Sequence, residues 1–492
     1  MKNHTDVLIF HTDICAEASQ ISLDATIEIA CANFYCAIPT LRFGMESNMK
    51  IEMPQKASYI IETIRQAGFE AYIVGGCVRD SILGREPEDW DVTTSARPEQ
   101  VKALFRRTID TGIQHGTVTV MLDKEGFEVT TYRIDGKYED SRHPKEVIFT
   151  PSLIEDLKRR DFTINAMAYN EEGGLIDVFG GLQDMKEGVV RCVGDPRERF
   201  GEDALRMMRA IRFSAQLGYR IEEKTGDAIR EMAPNLSHIS PERIQTELVK
   251  LITSDHPEFL KIAYHTGVTK VILPEFDRAM ETPQIHPHHC YNVGEHTLQA
   301  LKETEPDKIL RLAVLLHDIG KPDTLSWDEK GLTHFYHHAS LGADLAEQIL
   351  KRLRFDNDTI SLVKKLVLYH DYGNEWEPDM RRMRRLANKI GVDMLPMLFC
   401  VKRADILAQS DYLRQEKLER LEKWQELYQE MRSLGQCVCL KDLAVTGRDL
   451  MDIGMRPGKE LGEALQGLLE LVLEEPSYNT KEKLLKEAEK YL

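Results

Sequence analysis

Two aspartates separated by one tryptophan, Asp89-Trp90-Asp91, are the residues of this sequence best placed to do chemistry. They follow a short apolar run, Tyr72-Ile73-Val74, that ends in Gly75-Gly76 and a segment carrying Arg79 and Asp80. The pattern predicts a strand, a Gly-Gly turn and a short helix. After a turn at Gly84 and Pro87 it predicts a second strand holding both acids. In a strand, residues i and i+2 point to one face, so Asp89 and Asp91 aim together and Trp90 aims away. Two carboxylates side by side repel unless a cation neutralises them, and hard cations such as magnesium take oxygen ligands that they share with substrate phosphates. A glycine, lacking Cβ, lets the backbone approach a phosphate closely, and a helix N-terminus favours anions. The arrangement reads as a nucleoside triphosphate meeting metal. A glycine turn beside two exposed acids is the plainer alternative, and for Gly75-Gly76 alone it is the better one.

Further charged groups follow in order. Glu128 sits on a predicted strand near the two aspartates in sequence and is either a third metal carboxylate or part of a solvated face. Arg160, in Arg159-Arg160-Asp161, has the planar fork that holds triphosphate oxygens; taken alone it reads better as a surface ion pair. Asp203, Arg206, Arg209 and Arg212 recur every three residues in a helical pattern from Phe200 to Gly218, which places them along one side of the helix. That is the charged face of an amphipathic helix, or an edge that reads a nucleobase, with aspartate accepting from an exocyclic amine and arginine donating to ring nitrogens or oxygens.

The elements that would position these groups are a helix over 55–68 ended by Gly68, a helix over 98–105, strands over 116–122 and 126–133 joined by a turn from Asp123 to Gly126, and, within the stretch from Leu153 to Asn170, a helix-like run that starts at Arg159-Arg160-Asp161 and holds Asn165. Between them lies a polar loop, 134–146, with Arg142, His143 and Pro144. Ser240 and Pro241 read as the N-cap and first position of a further helix.

The chain has 492 residues, enough for several domains, and 42% apolar with 29% charged residues marks a globular protein. A net charge of −17 excludes a general nucleic-acid coater but leaves room for a local basic groove. Nine cysteines without a regular framework suit a reducing cytosol. No apolar run reaches membrane-spanning length. Residues 1–52 carry no sustained periodicity and no basic start; they are expected to be a poorly ordered extension, and Met49 or Met53 is the more ordinary beginning.

Four motifs, GGCVRD with EDWDVTT, KRRDFTINAMA, GDPRERFGEDALRMMRAIRFSAQLG and ISPERIQTEL, stand in the order found in the bacterial class II tRNA nucleotidyltransferases and poly(A) polymerases, and over about 55–275 the chain resembles that CCA-adding family. The resemblance implies that Asp89 and Asp91 hold magnesium and act as the catalytic pair. It implies that Gly76, Arg79 and Arg160 contact the nucleotide, that Asp203 and Arg206 form the protein template selecting CTP and then ATP, and that Arg209 and Arg212 add further nucleotide contacts. The family's full CCA-adding and A-adding members keep a flexible loop between the aspartates and the Arg-Arg-Asp block. YRIDGKYEDSRHP stands there, so the chain should not stop at CC.

A second set of groups spans residues 285–410. His317 and Asp318 are adjacent in the apolar run LAVLLHDIGK, with His296 before them and His338, His370 and Asp405 after. Histidine and aspartate are ligands for a transition metal or magnesium, and burying an adjacent pair without a ligand is costly. The set resembles an HD phosphohydrolase domain. The resemblance implies His296, His317, Asp318 and Asp405 as metal ligands, His338 and His370 as further site residues, a divalent metal there (Mg, Mn or Ni), and phosphatase or cyclic phosphodiesterase action on nucleotides or RNA ends. The run Met380–Lys389, MRRMRRLANK, is a candidate tRNA-phosphate surface or a solvated helix face.

The expected architecture is α+β. It comprises the extension 1–52, a small mixed-sheet nucleotidyltransferase head at 53–190, a helical neck binding RNA and nucleotide at 191–284, an HD domain at 285–410 and a helical C-terminal body and tail at 411–492. The expected activity is template-independent addition of CCA to the tRNA 3′ end from CTP and ATP, in the cytoplasm, with Mg2+ and no membrane partner. An A-adding enzyme or poly(A) polymerase is the alternative within the family. An HD phosphohydrolase with a nucleotide-sensing head, or a non-catalytic RNA-binding protein, is the alternative outside it.

Overall fold

A computed structural model describes residues 50–135, 147–374 and 376–492. The extension before residue 50 and most of the 134–146 loop lie outside the described residues.

The head begins with the helix Gln55–Gln66, which buries Ala57, Ile60, Ile61 and Ile64 on one face, as its period requires. Gly68 then takes a left-handed φ of +89° and turns the chain into the sheet. The strands in chain order are β1 Ala71–Val74, β2 Val92–Thr94, β3 Thr108–Gly112, β4 Thr117–Leu122, β5 Glu125–Thr131, β6 Arg133–Asp135, β7 Val147–Phe149, β8 Met167–Asn170 and β9 Gly174–Asp177. Seven of them form one sheet in the order β3-β4-β5-β2-β1-β8-β9, and β6 pairs only with β7. β2 runs parallel to β5 and antiparallel to β1, so the sheet is mixed. Its central strands are almost wholly buried, with Ile73, Val92, Val129 and Met167 each at most 1% exposed.

Three sequence expectations change in the fold. Asp89 and Asp91 do not lie within a strand; they form its approach, and pairing begins at Val92. The helix-like run expected to start at Arg159-Arg160-Asp161 is not a helix: the helix Leu153–Lys158 ends just before it, and Asn165 lies in a single 3-10 turn, Thr163–Asn165, that leads into β8. The expected helix from Phe200 to Gly218 is two helices, Pro196–Glu202 and Leu205–Leu217, broken at Asp203, whose backbone is extended (φ −146°, ψ 105°). Short polar residues readily leave helical geometry because their side chains bond the nearby backbone, and Asp203 Oδ1 accepts from Leu205 N at 3.1 Å.

From Leu205 onward the chain is mostly helical. The helix Leu205–Leu217 packs on Pro241–Ile252, and Lys308–Leu316 packs on Asn357–Tyr369. Leu395–Ala408 packs on Val293–Lys302, and His338–Arg352 on Asn357–Tyr369. No helix among the described residues is long and apolar enough to cross a membrane.

Candidate functional site

The first site is built at the end of β1. Val74 N donates to Asp91 O at 3.0 Å, extending the β1–β2 pairing by one residue and fixing the aspartate segment beside the Gly75 turn. Gly75 has φ +83°, and a Cβ there would lie 3.0 Å from Arg160 Nη1. Only glycine meets both conditions at ease. Gly76 opens the helix Gly76–Ile82. Asp89 and Asp91 are exposed while Trp90 packs against the core, so the alternation read from sequence holds although the segment is not a strand.

The parallel register pairs Val92 with Val129, which sets Asp91 beside Glu128. The Asp91 carboxyl is open to water on one side yet set in dense protein. That surrounding density raises its pKa, Arg160 draws it down, and Glu128 and Asp89 raise it again. A carboxylate whose ionisation is opposed by two neighbouring acids, beside an arginine, belongs to a donor set for a hard cation. Glu128, whose role the sequence leaves open, is therefore placed with the pair.

The other predicted residues form a chain of contacts behind this opening. Arg79 is 8% exposed, forks onto Asp80 at 2.9 and 2.8 Å, and donates to Asn165 Oδ1 at 2.6 Å. Asn165 Nδ2 donates to Asp161 Oδ1 at 3.2 Å, and Asp161 Oδ2 accepts from Arg209 Nε at 2.8 Å. Burial opposes the Asp161 charge, but Arg209 and Arg206 hold its carboxyl well below the usual range. Arg206 is braced by Glu202 and donates to the Arg159 carbonyl at 3.1 Å. Arg243 forks onto Asp203 at 3.2 and 2.7 Å. Arg212 is 6% exposed; it donates to Glu247 and Gln216 and lies 3.8 Å over the Phe213 ring. Arg212, expected to contact nucleotide, has its guanidinium engaged inside the protein in this structure. On the one helix Leu205–Leu217, Arg206, Arg209 and Arg212 meet three different acids, Glu202, Asp161 and Glu247, rather than forming one exposed stripe. Sequence reading missed Arg243, Asp161 and Glu247; the opposite charges in ISPERIQTEL were the only signal for the first and last.

The second site gathers from five helices and their ends. His317 caps the buried helix Lys308–Leu316 rather than lying inside it, and Asp318 follows in a turn. Gly320 explains how His338 reaches them. A Cβ on Gly320 would stand 2.3 Å from His338 O and 2.7 Å from Gly342 N, so only glycine lets the start of His338–Arg352 seat on this turn. We expect Gly320→Ala to cost about 1–3 kcal/mol from overpacking against backbone, measured as a lowered Tm, and to weaken metal binding at His338 and His370.

All four imidazoles are oriented the same way. Nδ1 of His317, His370, His338 and His296 bonds the carbonyls of Val314 (2.7 Å), Val367 (2.6 Å), Phe335 (2.8 Å) and Ala408 (3.4 Å). A carbonyl only accepts, so each Nδ1 carries the proton and each Nε2 presents a lone pair. Those Nε2 atoms meet in pairs, His296 with His317 at 3.3 Å and His338 with His370 at 3.2 Å. Opposed lone pairs at such distances need a cation or a proton between them.

Asp318, 2% exposed, stands between the two pairs. Its Oδ2 is 3.2 Å from His317 Nε2, and its Oδ1 is 3.5 Å from His338 Nε2 and 3.7 Å from His370 Nε2. Asp405 Oδ1 lies 3.0 Å from His296 Nε2. Asp371, not singled out from sequence, adds Oδ2 at 3.0 Å from His338 Nε2. The donor set suits two cations sharing Asp318. Burial opposes charge on His317, yet Asp318 and Asp405 outweigh it and push the imidazole up to about 9.

Two lysines support this centre. Lys321 Nζ lies 2.7 Å from Asp318 Oδ2 and donates to Gln284 at 2.8 Å. Lys402 is 5% exposed and donates to the carbonyls of His370 (2.7 Å) and Tyr372 (3.0 Å) and to Asn374 Oδ1 (2.7 Å), which clamps the turn bearing His370 and Asp371. A cavity of about 810 Å³ opens onto the centre, with His289, Lys321, Tyr372, Trp376 and Lys417 in its wall.

The basic run Met380–Ile390 is not a free phosphate surface. Arg381 and Arg385 pair with Glu474, Arg384 is buried on the carbonyls of Leu473 and Glu474, and Arg382 pairs with Asp379. Its charge joins this helix to Lys459–Glu474.

Three family models match the chain: the poly A polymerase head domain over residues 71–191, the probable RNA and SrmB- binding site of polymerase A over 218–280, and the putative tRNA nucleotidyltransferase domain 2 over 324–488. The CCA-adding enzyme of Levilactobacillus brevis is 38% identical over 419 residues, 84% of this chain and 92% of that protein. That of Enterococcus faecalis is 36% identical over 439 residues, 89% of this chain and 96% of that protein. The crystal structure of the Bacillus stearothermophilus CCA-adding enzyme in complex with CTP is similar at a TM-score of 0.66 and 30% identity, covering 89% of this chain and 96% of that one.

Proposed function

Because the chain belongs to the CCA-adding enzymes of the tRNA nucleotidyltransferase and poly(A) polymerase family, we infer that it adds the 3′-terminal CCA to tRNA from CTP and ATP without a nucleic-acid template. The observation that carries this reading is the set Asp89, Asp91 and Glu128 beside the Gly75 turn and Arg160. The tRNA 3′-hydroxyl oxygen bonds the α-phosphorus, the bond from that phosphorus to pyrophosphate breaks, and the hydroxyl proton leaves to solvent. Magnesium held by Asp89, Asp91 and Glu128 would activate the hydroxyl and neutralise triphosphate charge. The backbone of Gly75-Gly76 and the Arg160 fork take phosphate oxygens. Asp203 and Arg206 read the base edge, with Arg243 and Glu202 fixing their directions. Arg79 and Arg209 brace this arrangement through Asn165 and Asp161. With tRNA as substrate, the work is cytoplasmic.

The test uses a tRNA lacking its last three nucleotides, with labelled CTP, ATP or both. Growth by two residues with CTP and a third only with ATP is expected. Incorporation of A alone onto tRNA ending in CC identifies an A-adding enzyme instead, and runs of A identify a poly(A) polymerase.

The four oriented imidazoles around Asp318 favour a second activity, metal-dependent hydrolysis of a phosphate ester at the HD centre. His296, His317, Asp318 and Asp405 would hold one divalent cation, and Asp318, His338, His370 and Asp371 the other. Such ions polarise the phosphoryl group and lower the pKa of water. Lys321 and Lys417, in the wall of the cavity, supply positive charge to receive a phosphate.

A further inference from the structure

Resting on the hydrolase reading, the geometry points to His289 as a residue that hydrogen-bonds the phosphoryl group of the substrate at the HD centre. Its ring lines the cavity that opens onto Asp318 and Asp405 and meets His296 edge-on, with ring centroids 5.6 Å apart. It differs from the four site histidines in one decisive way. Each of those directs Nδ1 to a backbone carbonyl, whereas Nδ1 of His289 is buried with no hydrogen-bond partner. A metal-binding imidazole is ordinarily fixed in tautomer and direction by such a second bond. His289 lacks it, and the two groups of side chains able to hold a metal do not include it.

Nδ1 is sealed from solvent, so a molecule in the cavity meets this ring through Nε2, which no hydrogen bond among the described residues engages. On that reading what enters here is a phosphate ester, which Lys321 and the cations held at the centre would draw in. A neutral imidazole offers one N–H and one lone pair, and no protein group at Nδ1 dictates which nitrogen carries the proton. The ring can therefore present N–H to a phosphoryl oxygen as negative charge builds on it, the way a preorganised donor stabilises a developing oxyanion. In the hydrolysis itself a water oxygen bonds phosphorus, the ester P–O bond breaks, and the water protons go to the leaving oxygen and solvent. His289 changes no bond in this step.

The test loads the full-length protein with Mn2+ and follows cleavage of bis(p-nitrophenyl) phosphate, Mn2+ content and CCA addition in parallel. His289→Ala should lower kcat about 10²-fold with Mn2+ content and CCA addition unchanged, and His289→Gln, which keeps an N–H donor, should recover most of the loss. Full activity in His289→Ala overturns the assignment, and so does loss of Mn2+ together with activity, which would make His289 a ligand. If His289→Ala also loses CCA addition, His289→Asn takes its place and the same readouts decide. Wild-type protein that binds Mn2+ but cleaves nothing overturns the hydrolase reading, and this assignment with it.

Discussion

Asp91→Asn should reduce nucleotide incorporation into tRNA by at least about 10³-fold, or about 4 kcal/mol in the barrier, while leaving Tm within a degree or two of wild type. The expectation rests on where Asp91 sits. Its carboxyl is exposed and carries no helix or strand, so the isosteric amide removes charge without removing packing. The same carboxyl stands beside Glu128 through the β2–β5 register and two residues from Asp89, under pressure to protonate from both. A cation relieves that pressure; an amide cannot hold the cation as well and leaves Arg160 as the main charge in the cleft. Measured with labelled CTP on tRNA lacking its CCA end, the loss should fall on kcat and not be rescued by more nucleotide. Glu128→Gln in the same assay tells whether the third carboxylate is a ligand. A loss above about tenfold makes it one, by analogy with the sensitivity of metal sites to their supporting groups. Full activity in Asp91→Asn would sink the assignment of the catalytic pair.

Asp318→Asn should abolish the phosphoesterase activity proposed for the histidine–aspartate centre and reduce bound Mn2+, with CCA addition retained. Asp318 is the single residue common to both metal-competent groups, with Oδ2 toward His317 and Oδ1 toward His338 and His370. Replacing it removes a negative charge that two cations would share. It also leaves the buried Lys321 ammonium without its carboxylate, 2.7 Å away in the native protein. Breaking a buried pair from one side costs about 3–5 kcal/mol, so a lower Tm is part of the expected result and CCA addition serves as the check on folding. Metal analysis separates the two parts: Mn2+ bound by wild type and lost in Asp318→Asn identifies the centre. Equal metal in both proteins would place the ions elsewhere.

The head was readable because its chemistry is local. Strand, glycine turn, helix and paired acids fall within the stretch from Tyr72 to Asp91, and side-chain alternation needs only the backbone's period of two. That alternation survives at Asp89 and Asp91, ahead of the strand proper. The helices were less faithfully read wherever a polar residue competes for the backbone. Asp203 breaks what periodicity makes continuous, and the Arg-Arg-Asp block folds into helix, 3-10 turn and strand.

Charge was the least legible feature. The arginines of the Leu205–Leu217 helix and of Met380–Ile390 look alike as sequence, one-letter repeats of positive charge. Only the fold assigns Arg209 to Asp161, Arg212 to Glu247, and Arg381 and Arg385 to Glu474. Their partners lie tens of residues away, and no local spacing encodes a contact of that kind.

By itself the sequence determined the two constellations: the acids and glycines of the head, and the histidines and aspartates from His296 to Asp405. Residue type and short spacing carry that information because ligand chemistry belongs to side chains. Tertiary structure alone decided which groups meet. It set Glu128 beside Asp91 through a parallel strand register, closed Arg243 onto Asp203, turned four Nε2 atoms toward Asp318 by tying each Nδ1 to a carbonyl, and left His289 without such a tie. Direction and distance are properties of the packed chain, and a site needs both.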